Sequence, residues 1–371
     1  MTNKTCSVFF LLLFSSLAAT AQNKPLRVGV IGLTHTHVHG ILGRENRGDI
    51  QIVGIVEPDK EVAARYTAQY HLPMSMVYNT IDELIAATHP EAVTAFNTTY
   101  EHLKVVKTCA PLGIHVMVEK PLAVNMKHAR KMEALAKKYR IQLLTNYETT
   151  WYPTNHKAWE FLQNDSIGSL RKVVVRDGHR GPKKIGVAKE FLDWLTDPVQ
   201  DGGGAIMDFG CYGANLMTWL QHGKRPLSVT AVTQQLQAEN NPKVDDDATI
   251  ILRYDDANAI LQPSWDWPIG RKDMEIYGLR GAIFSDNRHQ LRVRMAEGYD
   301  GFHETTYTLE ERPAPLNDPF ALLAAVVKKE ITLAPYDPSS LENNMLVMEI
   351  LDAARLSAKK GKVVKLKAKA K

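Results

Sequence analysis

Short apolar runs alternate with amphipathic stretches through the first third of the chain. Leu26 to Ile31 and Ile50 to Val56 are the first two runs, closing at Gly32 and Glu57. A loop and a helical stretch lie between them, giving a βαβ unit of about thirty residues. Ala92 to Phe96, Ile114 to Val118 and Gln142 to Leu144 repeat the strand pattern. Helical periodicity covers Lys60–Tyr70, Ile81–Ala87, Glu101–Leu112 and Lys127–Lys138. Strands alternating with helices predict an α/β fold built on a doubly wound parallel sheet. Farther on, Leu170–Asp177, Ser228–Gln235, Ala248–Tyr254, Ala259–Pro263 and Met274–Tyr277 carry β-formers between turn residues. Asp255-Asp256-Ala257-Asn258 reads as a hairpin turn between two of them.

At 371 residues there is room for two domains with their own cores. The first segment has a separate purpose. Lys4 supplies a positive start, Ser7 to Leu17 is apolar, and Ala19-Thr20-Ala21 fits a small-residue cleavage site. The apolar stretch is too short to span a bilayer, so residues 1–21 read as a signal peptide rather than a membrane anchor. The mature chain is then secreted or periplasmic. Only Cys109 and Cys211 remain after cleavage, both in helical patterns, and two buried free thiols are the simpler reading. The net charge of +4 is partly carried by the tail from Lys359 to Lys371, a solvated end that implies no nucleic-acid partner.

Candidate chemistry concentrates at the ends of the apolar runs. Ligands of an open parallel sheet bind beyond the carboxyl ends of its strands, where Glu119-Lys120-Pro121 falls. A surface lysine beside a proline turn is the plainer alternative. Glu57 closes the second run, where an acid commonly accepts a ribose 2′-hydroxyl and repels a 2′-phosphate, favouring NAD over NADP. The alternative there is an acid stabilising the start of the next helix. The phosphate loop is unusual. It reads Gly32-Leu33-Thr34-His35-Thr36-His37, with the first glycine of a dinucleotide fingerprint but neither of the other two. Thr34 and the helix start still offer donors to a phosphate. His35, His37 and His39 raise the question of a metal, but no acid or cysteine lies near them in sequence, so the expectation is none.

With these residues in place, the chain resembles the Gfo/Idh/MocA family of sugar and cyclitol oxidoreductases, along nearly all of its mature length. Glu119-Lys120-Pro121-Leu122-Ala123 matches the family's most specific motif in full, and Gly202 to Gly210, through Asp208, matches its second signature. Thr98-Thr99-Tyr100-Glu101-His102 stands where the family has Thr-Pro-Asn-x-x-His, so His102 matches and the Pro and Asn do not. Ile276-Tyr277-Gly278 and Ala353 to Ala358 also fit. The resemblance implies a Rossmann domain over residues 22–147 and an α/β domain with a large, mostly antiparallel sheet over 148–337. A helix and basic tail over 338–371 would pack back on the first domain. It further implies NAD, bound through Gly32, Thr34, His35, Thr36, Glu57, Thr98, His102, Glu119 and Lys120, and oligomers built on the open sheet face.

Asp208, Tyr212 and Asn215 are spaced to share one helical face. In many relatives the position of Tyr212 is histidine, although tyrosine occurs in members resembling glucose–fructose oxidoreductase and dihydrodiol dehydrogenase. Alcohol oxidation needs a cationic or hydrogen-bonding partner for the oxygen as hydride leaves carbon. The expected division of labour puts Lys120, its amine lowered by burial, on the reacting hydroxyl. Tyr212 takes the proton, and Asp208 orients the sugar or the lysine. A core tyrosine is the bland alternative for Tyr212. Arg180, Trp151, Asp266 and Trp267 are expected to contact the sugar, with Tyr147 and Tyr152 closing the pocket. An exported enzyme cannot rely on free NAD, so a tightly held cofactor oxidising a glycoside 3-hydroxyl is the reading adopted. A redox-neutral glycosidase working through a 3-keto intermediate is the runner-up, and a non-catalytic sugar- or metal-binding protein is the third.

Overall fold

The computed structural model describes residues 24–366. The expected signal peptide and its cleavage point lie outside the described residues, as do residues 367–371. Among the described residues, no helix is long and apolar enough to cross a membrane.

The first sheet contains β1 (Leu26–Ile31), β2 (Ile50–Val56), β3 (Val77–Tyr78), β4 (Ala92–Ala95), β5 (His115–Glu119) and β6 (Leu143–Asn146). All pairs are parallel and the order is β3-β2-β1-β4-β5-β6. Helices α1 (His39–Leu42), α2 (Lys60–Gln69), α3 (Ile81–Thr88), α4 (His102–Cys109) and α5 (Met126–Tyr139) connect them. Strands covered on both faces must be apolar throughout, and Val28, Val30, Ala92, Val93 and Val116 are fully buried. Amphipathic α5 buries Ala129, Met132 and Ala136 along one stripe, and Asn125 caps its start by accepting the amide of His128. The β5 strand ends one residue later than its apolar run suggests. Glu119 therefore closes the strand and Lys120 is the first residue beyond it.

Next come α6 (Pro153–Gln163), β7 (Leu170–Gly178), α7 (Pro182–Ile185), α8 (Lys189–Leu195), α9 (Ala205–Asp208) and α10 (Gly210–Leu220). Strands β8 (Ser228–Gln234), β9 (Asp247–Arg253), β10 (Asn258–Ser264), β11 (Arg271–Gly278), β12 (Gly281–Ser285), β13 (Gln290–Glu297) and β14 (Gly301–Thr308) follow. The chain then forms α11 (Pro319–Val327), α12 (Leu341–Lys360) and β15 (Val364–Lys365). The second sheet runs β14-β13-β12-β11-β7-β10-β9-β8-β15 and is antiparallel except for β7 against β10. This is the expected two-domain α/β architecture. Strands β12, β13 and β14 were not anticipated; β14 is exposed along nearly its whole length and lacks alternation.

One boundary does not follow chain order. Phe320, Leu323 and Ala324 of α11 pack with Leu26, Val28 and Phe96, so a segment expected in the second domain fills a face of the first. Helix α12 lies against α10 and β8 while also touching α5 and β6, bridging the two sheets. Cys109 and Cys211 are buried free thiols.

The retained glycine of the phosphate loop has a steric cause. Gly32 sits at φ +81°, and a Cβ there would lie 2.8 Å from Cβ of Asn97 and 2.9 Å from its backbone. Gly32→Ala should therefore cost on the order of 1–3 kcal/mol, read as a lower urea midpoint at unchanged slope. An unshifted midpoint would refute the close-approach argument.

Candidate active site

Gly32, Thr34, Glu57 and Thr98 line one cavity of about 300 Å³ at the carboxyl ends of β1, β2 and β4. The Glu57 carboxylate accepts the amides of Leu33 and Asp59, each at 3.0 Å, and so ties the loop to the β2–α2 turn. Burial raises its carboxyl despite those amides. Thr34 Oγ1 accepts from Trp194 Nε1 at 3.2 Å and donates to the carbonyl of Phe96 at 3.4 Å. Trp194 and Phe191 of α8 also flank the His35 ring, at 5.8 and 4.8 Å between centroids. Second-domain aromatics thus cover the loop where the fingerprint glycines are missing. Thr36, His35 and His102 do not line the cavity. Thr36 opens a 3-10 turn capped by His35, whose Nδ1 accepts the amide of His37 at 3.1 Å. His102 is buried beneath, with Nδ1 against the carbonyl of Leu122 at 3.2 Å and Nε2 without a partner.

Lys120 reaches across from the end of β5 to the second domain. Its Nζ pairs with Asp208 Oδ1 and donates to the Asp208 carbonyl at 3.2 Å. The other carboxylate oxygen, Oδ2, accepts Nε1–H of Trp265 at 2.9 Å. All three side chains are buried. Burial alone would lower the lysine amine, but Asp208, by charge and hydrogen bond, outweighs it and holds the amine above its ordinary value. The expected lowered amine is therefore corrected: Lys120 is a fixed ammonium.

The shared helical face of Asp208, Tyr212 and Asn215 is also corrected. Helix α9 stops at Asp208, and Phe209 separates it from α10. A Cβ on Gly204 would lie 1.8 Å from the carbonyl of Asp245, so only glycine admits that approach at the start of α9. Asn215 turns away and donates to the carbonyl of Pro338 at 2.8 Å. Tyr212 stays at the centre, its ring stacked on Phe209 at 5.8 Å with Lys120 Nζ 5.4 Å from its centroid. A second ammonium, Lys272, lies 5.6 Å from the same ring and pairs with Glu148 at 2.6 Å. Burial, followed by the charge of Glu148, holds the Tyr212 phenol well above its usual value. The Lys120 Nζ lies against the ring, and the phenol, held protonated by burial, is a hydrogen-bond donor in this geometry.

The residues expected to contact substrate are not gathered together. Arg180 and Asp266 are exposed, Asp266 accepts from Gln237 at 2.6 Å, and Trp267 is covered by the Arg271 guanidinium at 4.6 Å. Trp151 is buried and donates to Asn146 at 3.0 Å. Tyr147 is buried too, bonded to Asn344 at 2.8 Å. A cavity of about 630 Å³ takes in Tyr152, as expected, together with Glu148, His179, Lys272 and Asn287 among others. Lys120 does not line it. Lys272 and Glu148 link the cavity to the Lys120 centre behind.

No acid lies near the loop histidines in sequence, but the fold brings one to them. Strand β5 brings Glu119 to 2.8 Å from Nδ1 of His37. Ligand-type atoms of His35, His37 and Glu119 lie within 4.8 Å of one another. Nδ1 of each histidine is hydrogen-bonded within the loop or to Glu119, while Nε2 of buried His35 has no partner.

Known proteins bear on this geometry. The family profile described as an oxidoreductase family with an NAD-binding Rossmann fold matches residues 26–147, and the GFO/IDH/MocA C-terminal domain matches residues 155–284. Together they take in more than half of the 371 residues. The chain belongs to the Gfo/Idh/MocA family. A trans-1,2-dihydrobenzene-1,2-diol dehydrogenase of Xenopus tropicalis is 27% identical over 209 residues, 56% of this chain and 58% of that enzyme. The match spans less than two thirds of that relative. The fold is also that of an aldose-aldose oxidoreductase from Caulobacter crescentus complexed with glycerol. There the TM-score is 0.74 at 21% identity, covering 92% of this chain and 100% of that one. An inositol dehydrogenase homolog from Azotobacter vinelandii complexed with NAD⁺ gives 0.79 at 16% identity, covering 93% and 98%.

Membership in the Gfo/Idh/MocA family makes NAD the cofactor of the first domain, and the Glu57 cavity fits the adenosine end. A carboxylate with two oxygens keeps lone pairs free for ribose hydroxyls after accepting two amides. Three features escaped sequence reading. Trp265 directly precedes Asp266 and Trp267, but nothing local marks its indole as the partner of Asp208. Lys272 shares the inward register of Met274 and Ile276 on β11, so a charge in an otherwise apolar row was the available signal. The contact of Glu119 with His37 has no local signal at all.

Burial takes His102, His156 and His179 down to about 4, with Arg312 helping at His156 and Asp208 opposing at His179. The unfolded chain then binds protons first as the pH falls below about 6.5. The stability these histidines contribute above that pH should decline toward pH 4, by up to about 1.4 kcal/mol per pH unit for each. Buried Asp245, raised to about 6, acts in the opposite sense, so the histidine effect is read by difference: in urea unfolding, His156→Gln should lose less stability than the unsubstituted protein as the pH falls across this range. Equal slopes for the variant and the unsubstituted protein would contradict the assignment.

Proposed function

We propose that this protein is an NAD-dependent oxidoreductase acting on a sugar or glycoside hydroxyl, of the glycoside 3-dehydrogenase type, with a tightly held cofactor. The observation that carries the reading is the buried Lys120 ammonium, fixed by Asp208 beside the end of β5. NAD, when bound, supplies the electron acceptor. Lys120 donates to the reacting oxygen and favours its alkoxide character. Asp208 and Trp265 hold that ammonium in place, and the Tyr212 phenol offers a second donor. The polar cavity beyond, with Glu148, His179 and Lys272 on its wall, suits the hydroxyl rim of a sugar. The names of the family relatives, an aldose-aldose oxidoreductase and an inositol dehydrogenase homolog, support this substrate class.

The proposal includes export through the N-terminal segment, which is why the cofactor must stay bound between turnovers. It also includes a homo-oligomer built on the open sheet face. Ile251 and Ile260 pair in register there and are 43% and 38% exposed. Light scattering that finds a monomer at micromolar concentration would remove that part.

Two measurements test the core. The purified protein, denatured, should release NAD or NADH by absorbance. Incubation with para-nitrophenyl glucoside should yield an intact keto-glycoside, and Lys120→Met should lower the rate by roughly 100-fold or more while dinucleotide binding persists. Free nitrophenol with no net cofactor change would transfer the case to the redox-neutral glycosidase. Failure to bind any dinucleotide would leave the binding-protein reading ahead.

A further inference from the structure

We infer that the Glu148–Lys272 ion pair sets the specificity of this site, accepting an uncharged sugar ring and rejecting sugar acids; the inference rests on the dehydrogenase reading above. The charges on the wall of the second-domain cavity carry it. Three cations, Arg271, Lys272 and Arg292, line that cavity with four carboxylates, Glu148, Asp273, Glu275 and Asp286. Arg271 makes two bonds to Asp273, at 2.6 and 2.8 Å, and Arg292 makes two to Asp286, both at 2.6 Å. Lys272 pairs with Glu148 at 2.6 Å. The fourth carboxylate, Glu275, is matched at 2.6 Å by Arg176, which lies outside the wall. Every wall cation is thus taken, and the wall has one carboxylate more than it has cations. A sugar acid would have to displace one of these carboxylates or lie beside it, and like charges so placed cost affinity. A neutral ring meets neither penalty.

Of these pairs, the one made by Lys272 has capacity to spare. The two arginines meet their acids as closed two-point forks. The ammonium of Lys272 uses one of its three hydrogens on Glu148, leaving the others for a ligand. Asp177, opposite Lys272 in the β7–β11 register, is held protonated by burial, so Glu148 is the counter-ion. Burial opposes ionisation of Glu148 too. The charge and hydrogen bond of Lys272, with the Tyr152 hydroxyl at 2.7 Å, outweigh it and hold that carboxyl down to about 2.

The pair also stands where the cavity meets the Lys120 centre. Lys272 Nζ lies 5.8 Å from the ring of Phe209 and 5.6 Å from that of Tyr212. Lys120 Nζ lies 5.8 and 5.4 Å from the same two rings. The two ammonium groups therefore share one stacked aromatic pair, and Lys272 is the one on the cavity wall. A donor and an acceptor held side by side match two adjacent hydroxyls, one accepting from Lys272 and the other donating to Glu148. Exchanging a hydroxymethyl group for a carboxylate sets a new negative charge against the four already there.

Para-nitrophenyl glucoside and para-nitrophenyl glucuronide, compared on the full-length protein, test this. With NAD⁺, the unsubstituted protein should favour the glucoside by about 100-fold or more in kcat/KM. Calorimetry on the NADH-loaded protein, where no oxidation can occur, should show the same preference in affinity. Glu148→Gln frees Lys272 and should narrow the preference by about tenfold or more through a gain on the glucuronide. Adding Lys272→Met to that variant should remove the gain. A purely structural Glu148 would weaken both sugars alike, and an unmoved ratio in Glu148→Gln would overturn the inference. Oxidation of both sugars at equal efficiency by the unsubstituted protein would overturn it while leaving the dehydrogenase reading intact. Selective binding of the glucoside without oxidation of either sugar would sink the dehydrogenase reading and keep the role of the pair.

Discussion

A single buried ion pair organises the centre of this molecule. Lys120 comes from the end of a parallel strand and Asp208 from the last turn of a short helix in the other domain. Taking two charges out of water is costly unless the geometry satisfies them, and here it does. The carboxylate has the ammonium on one oxygen and the Trp265 indole on the other. Removing either partner would leave an uncompensated charge, a loss of about 3–5 kcal/mol in comparable buried pairs. The pair therefore joins the domains as well as setting the charge at the site. The break between α9 and α10 belongs to the same construction, because it turns Asp208 toward Lys120 while Phe209 and Tyr212 stack beside it.

The alternation of strands and helices in the first half was plain in the sequence because strands buried on both faces must be apolar throughout. The ends of those strands were legible too, which is why Gly32, Thr34, Glu57 and Thr98 meet around one cavity as expected. What sequence could not convey was the pairing of distant residues. Trp265 and Lys272 enter the site from separate strands, and Glu119 meets His37 only because β5 and the turn after β1 converge. Spacing also misled at one point. Asp208, Tyr212 and Asn215 fit a helical face, but the repeat assumed an uninterrupted helix, and Phe209 interrupts it. The lowered amine expected of Lys120 came from considering burial without its partner.

The phosphate loop shows how a departure from a fingerprint can be absorbed. Thr34 and His37 stand where glycines would give room; Trp194 bonds Thr34, Phe191 and Trp194 flank the neighbouring His35, and His37 stays part-exposed. The second domain thus reaches over the first at the point where the first departs from its family. An Arg65–Glu190 ion pair tethers the same helix to α2.

The return of α11 to the first sheet bears on how the chain assembles. Phe320, Leu323 and Ala324 are made well over two hundred residues after Leu26, Val28 and Phe96, which they cover. Until they arrive, the growing polypeptide carries a finished Rossmann framework with an oily flank facing water. Such a flank is a natural hold for a chaperone, and it closes only once α11 has been made.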